Sequence, residues 1–167
     1  MLRRIPDTVD AVQAAARGLR VHTHVALARM ARLAAAVEGG AEQAEVRLAL
    51  AEEQGVQVLA GEARVAVTLR CQRCLEPLAL SLEAPFRLAV VPREGAPVPA
   101  GCEPVVADPR RLPLLALLED ELLLRLPHIP RHAEGRCRPP ENPAAEAGEG
   151  AASQSPFAAL ARLKLGG

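Results

Sequence analysis

A strand pattern runs directly into a cysteine pair in the stretch VAVTLRCQRCLEPL, residues 65–78. Apolar residues alternate with smaller or polar ones before Cys71 and again after Cys74, and a period of two is typical of half-buried strands. The two cysteines are separated by two residues, which is the length of a tight turn. Because no helix-length crossover lies between the two strand patterns, we expect them to pair as an antiparallel hairpin.

The same alternation recurs on both sides of this hairpin. Further strands are predicted within residues 19–27, 46–50, 56–58, 78–82 and 86–90, with turns at residues 53–55 and 61–62. Helical spacing of apolar residues predicts three helices: a short one capped by Asp7 or Thr8, and others within residues 27–37 and 114–126. The sequence therefore predicts an α+β fold, an antiparallel β-meander with a few packed helices.

The chain divides into three parts by composition. Residues 1–137 hold all the strand patterns and the three helices, together with a Pro-rich loop at residues 92–113. Residues 138–154 are rich in Pro, Gly, Ala and Glu, and we expect a disordered linker there. Residues 155–167 form a short amphipathic segment. We therefore expect one domain, a linker and a C-terminal docking segment.

Bulk composition argues against several classes of protein. Twenty basic and twenty acidic residues give zero net charge among 167 residues, whereas nucleic-acid binders usually carry a basic excess. Two Phe and no Tyr or Trp leave too few rings for a base-stacking platform. The N-terminus lacks a continuous apolar region of the kind found in signal peptides, and the Leu-rich run at residues 112–126 is too short and charged to cross a bilayer. We expect a cytoplasmic protein whose four cysteines are thiols or metal ligands.

Cys71 and Cys74 form the sharpest local signal, because two intervening residues let both thiolates face one tetrahedral ion. His132 and Cys137 can supply a second pair of ligands, and the resulting Cys-Cys-His-Cys set suits structural zinc. Cys102 and His128 are alternative ligands, and unligated thiols are the competing interpretation. His22 and His24 share one strand face and are interpreted as solvated rather than metal-binding.

No group of residues in the sequence predicts an active site. Glu119, Asp120 and Glu121 are adjacent on a helix and therefore point in different directions, so a partner-binding edge or a solvated face is favoured over acid–base catalysis. The amphipathic C-terminal segment offers Phe157 and Leu160, with Lys164 beside them, either to a partner or to its own domain.

Three segments together resemble the YceD family. They are the knuckle stretch at residues 65–78; the helix LLALLEDELLLRLP at residues 114–127, followed by IPRH and Cys137; and SPFAALARLK at residues 155–164. The resemblance implies a role in accumulation or processing of large-subunit ribosomal RNA, with no known enzymatic activity. This chain departs from the family pattern between the meander and the acidic helix, where it is Pro-rich and carries Arg110 and Arg111.

The sequence thus predicts a non-enzymatic ribosome biogenesis factor. We expect it to bind a ribosomal protein or a pre-ribosomal large-subunit particle, without a membrane or a small-molecule substrate, and with zinc as the only candidate cofactor. Direct binding to ribosomal RNA and a small structural zinc-binding interaction module are the alternatives.

Overall fold

Six strands and three short helices make up residues 5–137, the part of the chain that this computed structural model describes. The strands are β1 Arg20–Ala26, β2 Gly39–Gly40, β3 Gln43–Glu53, β4 Val56–Arg70, β5 Pro77–Val91 and β6 Glu103–Val106. The helices are α1 Ala11–Ala16, α2 Ala31–Ala36 and α3 Leu114–Leu123. The predicted α+β fold is confirmed.

The strands form one mixed sheet in the order β1-β3-β4-β5-β6, with β2 pairing with the end of β4. All pairs are antiparallel except β5 and β6, which run parallel from Leu88 paired with Glu103 to Val91 paired with Val106. The sequence did not predict β6, which lies in the Pro-rich loop. Residues 92–102 separate the two strands, and this length lets the chain return in the same direction.

A turn was predicted at residues 61–62, and that prediction was wrong because β4 runs straight through them. Gly61 pairs with Leu48 of β3 on one side and Phe86 of β5 on the other. A Cβ atom at this position would lie only 2.8 Å from the Leu48 Cα and closer still to the Arg47 carbonyl oxygen. Glycine is therefore required by close approach of the neighbouring backbone, not by a change in chain direction.

Separate strands were predicted within residues 78–82 and 86–90, on either side of Pro85, but β5 continues through this proline as one strand of fifteen residues. The strand can continue because Pro85 lies at an edge of the sheet. Strand β6 begins to pair only at Leu88, so at Pro85 the strand has β4 on one side and no described strand on the other. A residue without an N–H donor is tolerated at such an edge.

Helix α3 covers one face of the sheet and fixes the position of the acidic residues. Leu114, Leu118 and Leu122 recur every four residues and are buried in the main core, where α3 contacts β4 and β5. Helix α1 contacts β3, and its N-cap is Asp10, which accepts a hydrogen bond from the Gln13 N–H, rather than Asp7 or Thr8 as predicted.

The helix predicted within residues 27–37 is interrupted at Met30. Residues 27–29 form a 3₁₀ turn, Met30 leaves helical geometry at φ −108° and ψ 72°, and α2 follows. Within residues 5–137, no helix combines the length and apolar composition needed to cross a membrane.

Candidate functional site

The turn that joins β4 to β5, residues 71–76, forms a cysteine knuckle. The Cys71 N–H donates a hydrogen bond to the Glu76 carbonyl oxygen (3.0 Å), and the Leu75 N–H donates to the Cys71 carbonyl oxygen (2.9 Å). Leu75 has φ +63°, in the left-handed region that residues other than glycine adopt at a cost. This tight loop brings the side chain of Cys74 back beside that of Cys71.

The segment that follows α3 folds back over the knuckle. The Gln72 N–H donates to the Pro130 carbonyl oxygen at 2.8 Å. His132 Nε2 then lies 3.1 Å from the Pro77 carbonyl oxygen, and His132 Nδ1 lies 3.3 Å from Cys74 Sγ. With the proton on Nε2, the ring donates to the carbonyl and presents the Nδ1 lone pair toward the cysteine, as metal-ligating histidines do.

Cys137 completes a group of four ligand atoms. Its Sγ lies 3.7 Å from Cys71 Sγ, and all four ligand atoms of Cys71, Cys74, His132 and Cys137 lie within 4.8 Å of one another. In a tetrahedral zinc site, neighbouring sulfurs are roughly 3.8 Å apart and a sulfur and a nitrogen roughly 3.5 Å apart, given the usual bond lengths. The group is therefore arranged so that it could hold a metal ion.

The surroundings shift the pKa values of two of the four side chains, Cys71 and Cys137, in opposite directions. Burial opposes ionisation of Cys71, but N–H groups of Cys74, His132 and Arg73 outweigh it and lower the pKa of the Cys71 thiol to about 5. Burial and the neighbouring sulfurs of Cys74 and Cys71 raise the pKa of Cys137 to about 11. One thiolate forms readily, and a cation between the ligands would favour further ionisation.

The alternative ligands lie elsewhere. Neither Cys102 nor His128 belongs to the four-residue group, which is the only such group within residues 5–137. His22 and His24 lie on the exposed face of β1 with ring centroids 6.4 Å apart, and His22 Nε2 is 2.8 Å from a Glu45 carboxylate oxygen. This placement agrees with the interpretation of the two histidines as a solvated pair.

The three acidic residues of α3 point in two directions. The Glu119 carboxylate is buried and accepts hydrogen bonds from the backbone N–H groups of Arg32 (2.7 Å) and Leu33 (3.0 Å) in α2. The Arg32 guanidinium donates to Glu119 as well, and to Asp120 at 2.6 Å. Glu119 and Asp120 thus join α3 to α2 inside the domain.

Glu121 lies on another side of α3, against β5 and β6. Only 8% of its surface is exposed, and it lines a cavity of about 290 Å³ together with Glu103 of β6. Burial, and next the negative charge of Glu103, raise the pKa of the Glu121 carboxyl. Two carboxylates therefore share one partly enclosed space.

Two partners of the acidic residues were not identified from the sequence. Arg32 lies in the helix predicted within residues 27–37 from apolar spacing alone, and Glu103 stands in a Pro-rich stretch that carried no strand signal. The charge of each was visible, but their contacts depend on tertiary packing. Phe157, Leu160 and Lys164, predicted to bind a partner, lie outside the described residues.

The knuckle and helix α3 both lie in the part of the chain that matches a known protein family. Residues 59–164, which include both, match the family described as large ribosomal RNA subunit accumulation protein YceD. The large ribosomal RNA subunit accumulation protein YceD of Haemophilus influenzae is 33% identical over 171 aligned residues, covering 96% of this chain and 97% of that relative. No solved structure matches the chain significantly. The chain belongs to the YceD family of large ribosomal RNA subunit accumulation proteins.

Proposed function

We propose that this chain promotes accumulation of large-subunit ribosomal RNA in the cytoplasm by binding a ribosomal protein or a pre-ribosomal large-subunit particle. The observation that carries the proposal is the similarity over nearly the whole chain to a relative named for that accumulation. We treat the chain as a binding protein rather than an enzyme because the family's name describes the amount of an RNA and not a reaction.

Structural zinc is the second element of the proposal. Three cysteines and one histidine supply a closed four-ligand set, and such sets are typical of structural rather than catalytic zinc because no position stays open for water or substrate. The ion would join the hairpin of β4 and β5 to the segment after α3. It would thereby fix the point from which the C-terminal part of the chain departs.

Two regions are proposed to bind the protein partner. On α3, Glu119 is bonded to Arg32 and Leu33, and Asp120 is ion-paired with Arg32 but remains half exposed. The negative charge offered to a partner therefore comes from the exposed part of Asp120 and from Glu121 at the cavity. Beyond the proposed domain of residues 1–137 and linker of residues 138–154, the segment at residues 155–167 would dock with its apolar residues. Basic ribosomal proteins suit the acidic helix because opposite charges speed association and fix register.

The charges on the exposed face of the sheet favour a protein partner over naked RNA. The arginines of this face are largely engaged by neighbouring carboxylates: Arg47 with Glu45, Arg64 with Glu62 and Arg87 with Glu53. Each pair reduces the positive charge that is free to displace counterions from phosphates. A gel shift with large-subunit RNA fragments over a salt series separates the two partners, since phosphate contacts weaken steeply with salt.

The proposal is tested by deleting the gene and measuring the ratio of large- to small-subunit ribosomal RNA. We expect the ratio to fall and the full-length chain to restore it. Normal ribosomal RNA in the deletion strain would contradict the proposed function.

The docking segment is tested separately with the full chain and a variant that lacks residues 155–167. We expect the variant to capture fewer large-subunit particles in a pull-down while its domain melts at the same temperature. Equal capture by both forms would remove the docking segment from the proposal, and a lowered melting temperature would assign it to the domain instead.

A further inference from the structure

The cavity beside Glu121 has a polar wall and an apolar wall. Glu121 of α3 and Glu103 of β6 supply carboxylates, whereas Phe86 and Leu88 of β5 supply apolar surface. Phe86 is the only aromatic residue among residues 5–137, apart from the histidine rings. Arg87 also lines the cavity, but its charge is compensated by an ion pair with Glu53. The two carboxylates, the aromatic ring and the aliphatic side chain then make a site that suits an organic cation.

Glu121 is largely buried but has no direct polar partner among the residues that the structure describes. Its surface is 8% exposed, yet within residues 5–137 its carboxylate makes no hydrogen bond and no ion pair. Arg125 acts on Glu121 through its charge, but its guanidinium donates to the Pro85 carbonyl oxygen (3.2 Å). Arg87, which lines the cavity, donates to Glu53 (2.5 Å). Burial disfavours the charged form of this carboxylate, and a cation entering the cavity would offset that effect.

The Glu121 carboxylate remains open to such a cation. No polar side-chain atom among the described residues is both fully enclosed and without a hydrogen bond, so the unpaired Glu121 oxygens keep contact with the outside through the cavity. These oxygens are therefore not sealed off from a ligand that enters the cavity.

The lining distinguishes between kinds of cation. Magnesium and calcium are bound through oxygen ligands and retained water, so a wall formed by Phe86 and Leu88 contributes nothing to their binding. A guanidinium group is planar, binds carboxylates through two parallel hydrogen bonds, stacks on aromatic rings and loses its hydration more easily than an ammonium group. The combination favours arginine.

We propose that the cavity between α3, β5 and β6 binds one arginine side chain of the protein partner, with Glu121 and Glu103 as the carboxylates that receive it. The identity of the partner as a basic ribosomal protein rests on the proposed function, but the chemistry of the cavity does not. The raised pKa of Glu121 agrees with this assignment, because a bound guanidinium would counter both the burial and the charge of Glu103 that raise it.

The test titrates the full-length protein with Nα-acetyl-arginine amide and follows amide chemical shifts by NMR. We expect saturable shifts at residues around the cavity. Glu121→Gln should weaken binding by about tenfold or more, the effect of losing one charge-assisted hydrogen bond. Glu42→Gln is the matched control, because Glu42 is exposed and lies outside the cavity.

Two ligand controls complete the experiment. Nα-acetyl-citrulline amide has nearly the same shape without the charge and should bind at least about tenfold more weakly, whereas magnesium chloride should not displace the arginine probe. Absence of saturable binding, equal binding by Glu121→Gln, equal binding of citrulline, or displacement by magnesium would each overturn the arginine site.

A second variant, Glu103→Gln, keeps the test decisive if Glu121→Gln does not fold. The result of this titration can also be distinguished from the result of the gene-deletion test of the proposed function. A failed titration with normal rescue of ribosomal RNA would remove only the cavity's role, whereas a successful titration with no ribosomal RNA defect would remove only the biological assignment.

Discussion

Arg32 of α2 and Glu119 of α3 are joined through both the backbone and the side chain of the arginine. Glu119 Oε1 accepts from the Arg32 backbone N–H at 2.7 Å, while Oε2 accepts from the guanidinium Nε at 3.0 Å and Nη2 at 2.9 Å. The Leu33 N–H donates to Oε1 as well. One buried carboxylate thus satisfies donors at the beginning of a helix 86 and 87 residues away in the sequence.

Replacing Glu119 with alanine should therefore destabilise the domain. Two backbone N–H groups and a guanidinium would lose their acceptor, and we expect the free energy of unfolding to fall by about 2–4 kcal/mol. Chemical denaturation measures the loss. Asp120→Ala is the control: its bond to the same guanidinium is half exposed, so it should cost less than about 1 kcal/mol. Equal losses would show that the backbone contacts of Glu119 contribute little.

The cysteine knuckle leads to a prediction about metal. The purified chain should contain about one zinc ion by elemental analysis, because closed thiolate sites hold their metal through purification. A strong chelator should remove the ion and lower the melting temperature. Cys71→Ser should abolish zinc binding, whereas Cys102→Ser, outside the group of four ligands, should retain it. A metal-free protein with an unchanged melting temperature after chelation would refute the structural role of zinc.

Gly61 should not tolerate a side chain. In Gly61→Ala the new Cβ atom would meet the backbone of Arg47 and Leu48, so β3 and β4 must separate locally. We expect a loss of about 1–3 kcal/mol, the usual cost of overpacking. Gly39→Ala is the matched control within the same sheet, since no atom lies within 4 Å of a Cβ built there. Similar melting temperatures for both variants would count against the close approach of β3 and β4.

Glu121 should make the stability of the domain depend on pH. Burial, and then Glu103, raise the pKa of Glu121 in the folded state; Arg125 acts in the opposite direction and Asp120 in the same direction. The charge of Arg87 on the cavity wall is compensated by its ion pair. A raised folded-state pKa means that the protonated form stabilises the fold below the unfolded pKa, and that this stabilisation is lost as pH rises through the folded pKa.

Glu121→Gln removes this titration. The variant should melt at a higher temperature than the original chain at neutral pH, and the difference should shrink as pH falls toward the ordinary glutamate pKa. Melting curves over a pH series check the sign. A variant less stable at neutral pH would show that the Glu121 carboxylate is stabilised rather than strained by its surroundings.

The strands were predictable where local alternation decides the structure and less so where a neighbour decides it. The hairpin of β4 and β5 follows from alternation around the cysteines, and the structure confirms it. Gly61 and Pro85 were interpreted as interruptions by their local preferences, but the strands on either side determine their role. The parallel pairing of β6 also depends on β5 rather than on its own four residues.

The candidate sites were also predictable where nearby residues determine the geometry and not where distant residues meet. Cys71 and Cys74 lie three positions apart, so their shared direction follows from one turn, and the structure places them with His132 and Cys137 as the sequence proposed. The partners of the acidic helix lie far away along the chain and become neighbours only when α2 and β6 pack. Sequence alone could assign charge to these residues but not their contacts.

The order of the four ligands along the chain has a consequence for biosynthesis. Cys71 and Cys74 emerge early, but His132 and Cys137 follow every strand and helix of the described domain. A nascent polypeptide that stops before Cys137 holds an incomplete chelate, so tight metal capture awaits translation of the full domain. Zinc, if bound at this site, would therefore be held by all four side chains only in chains that extend at least to Cys137.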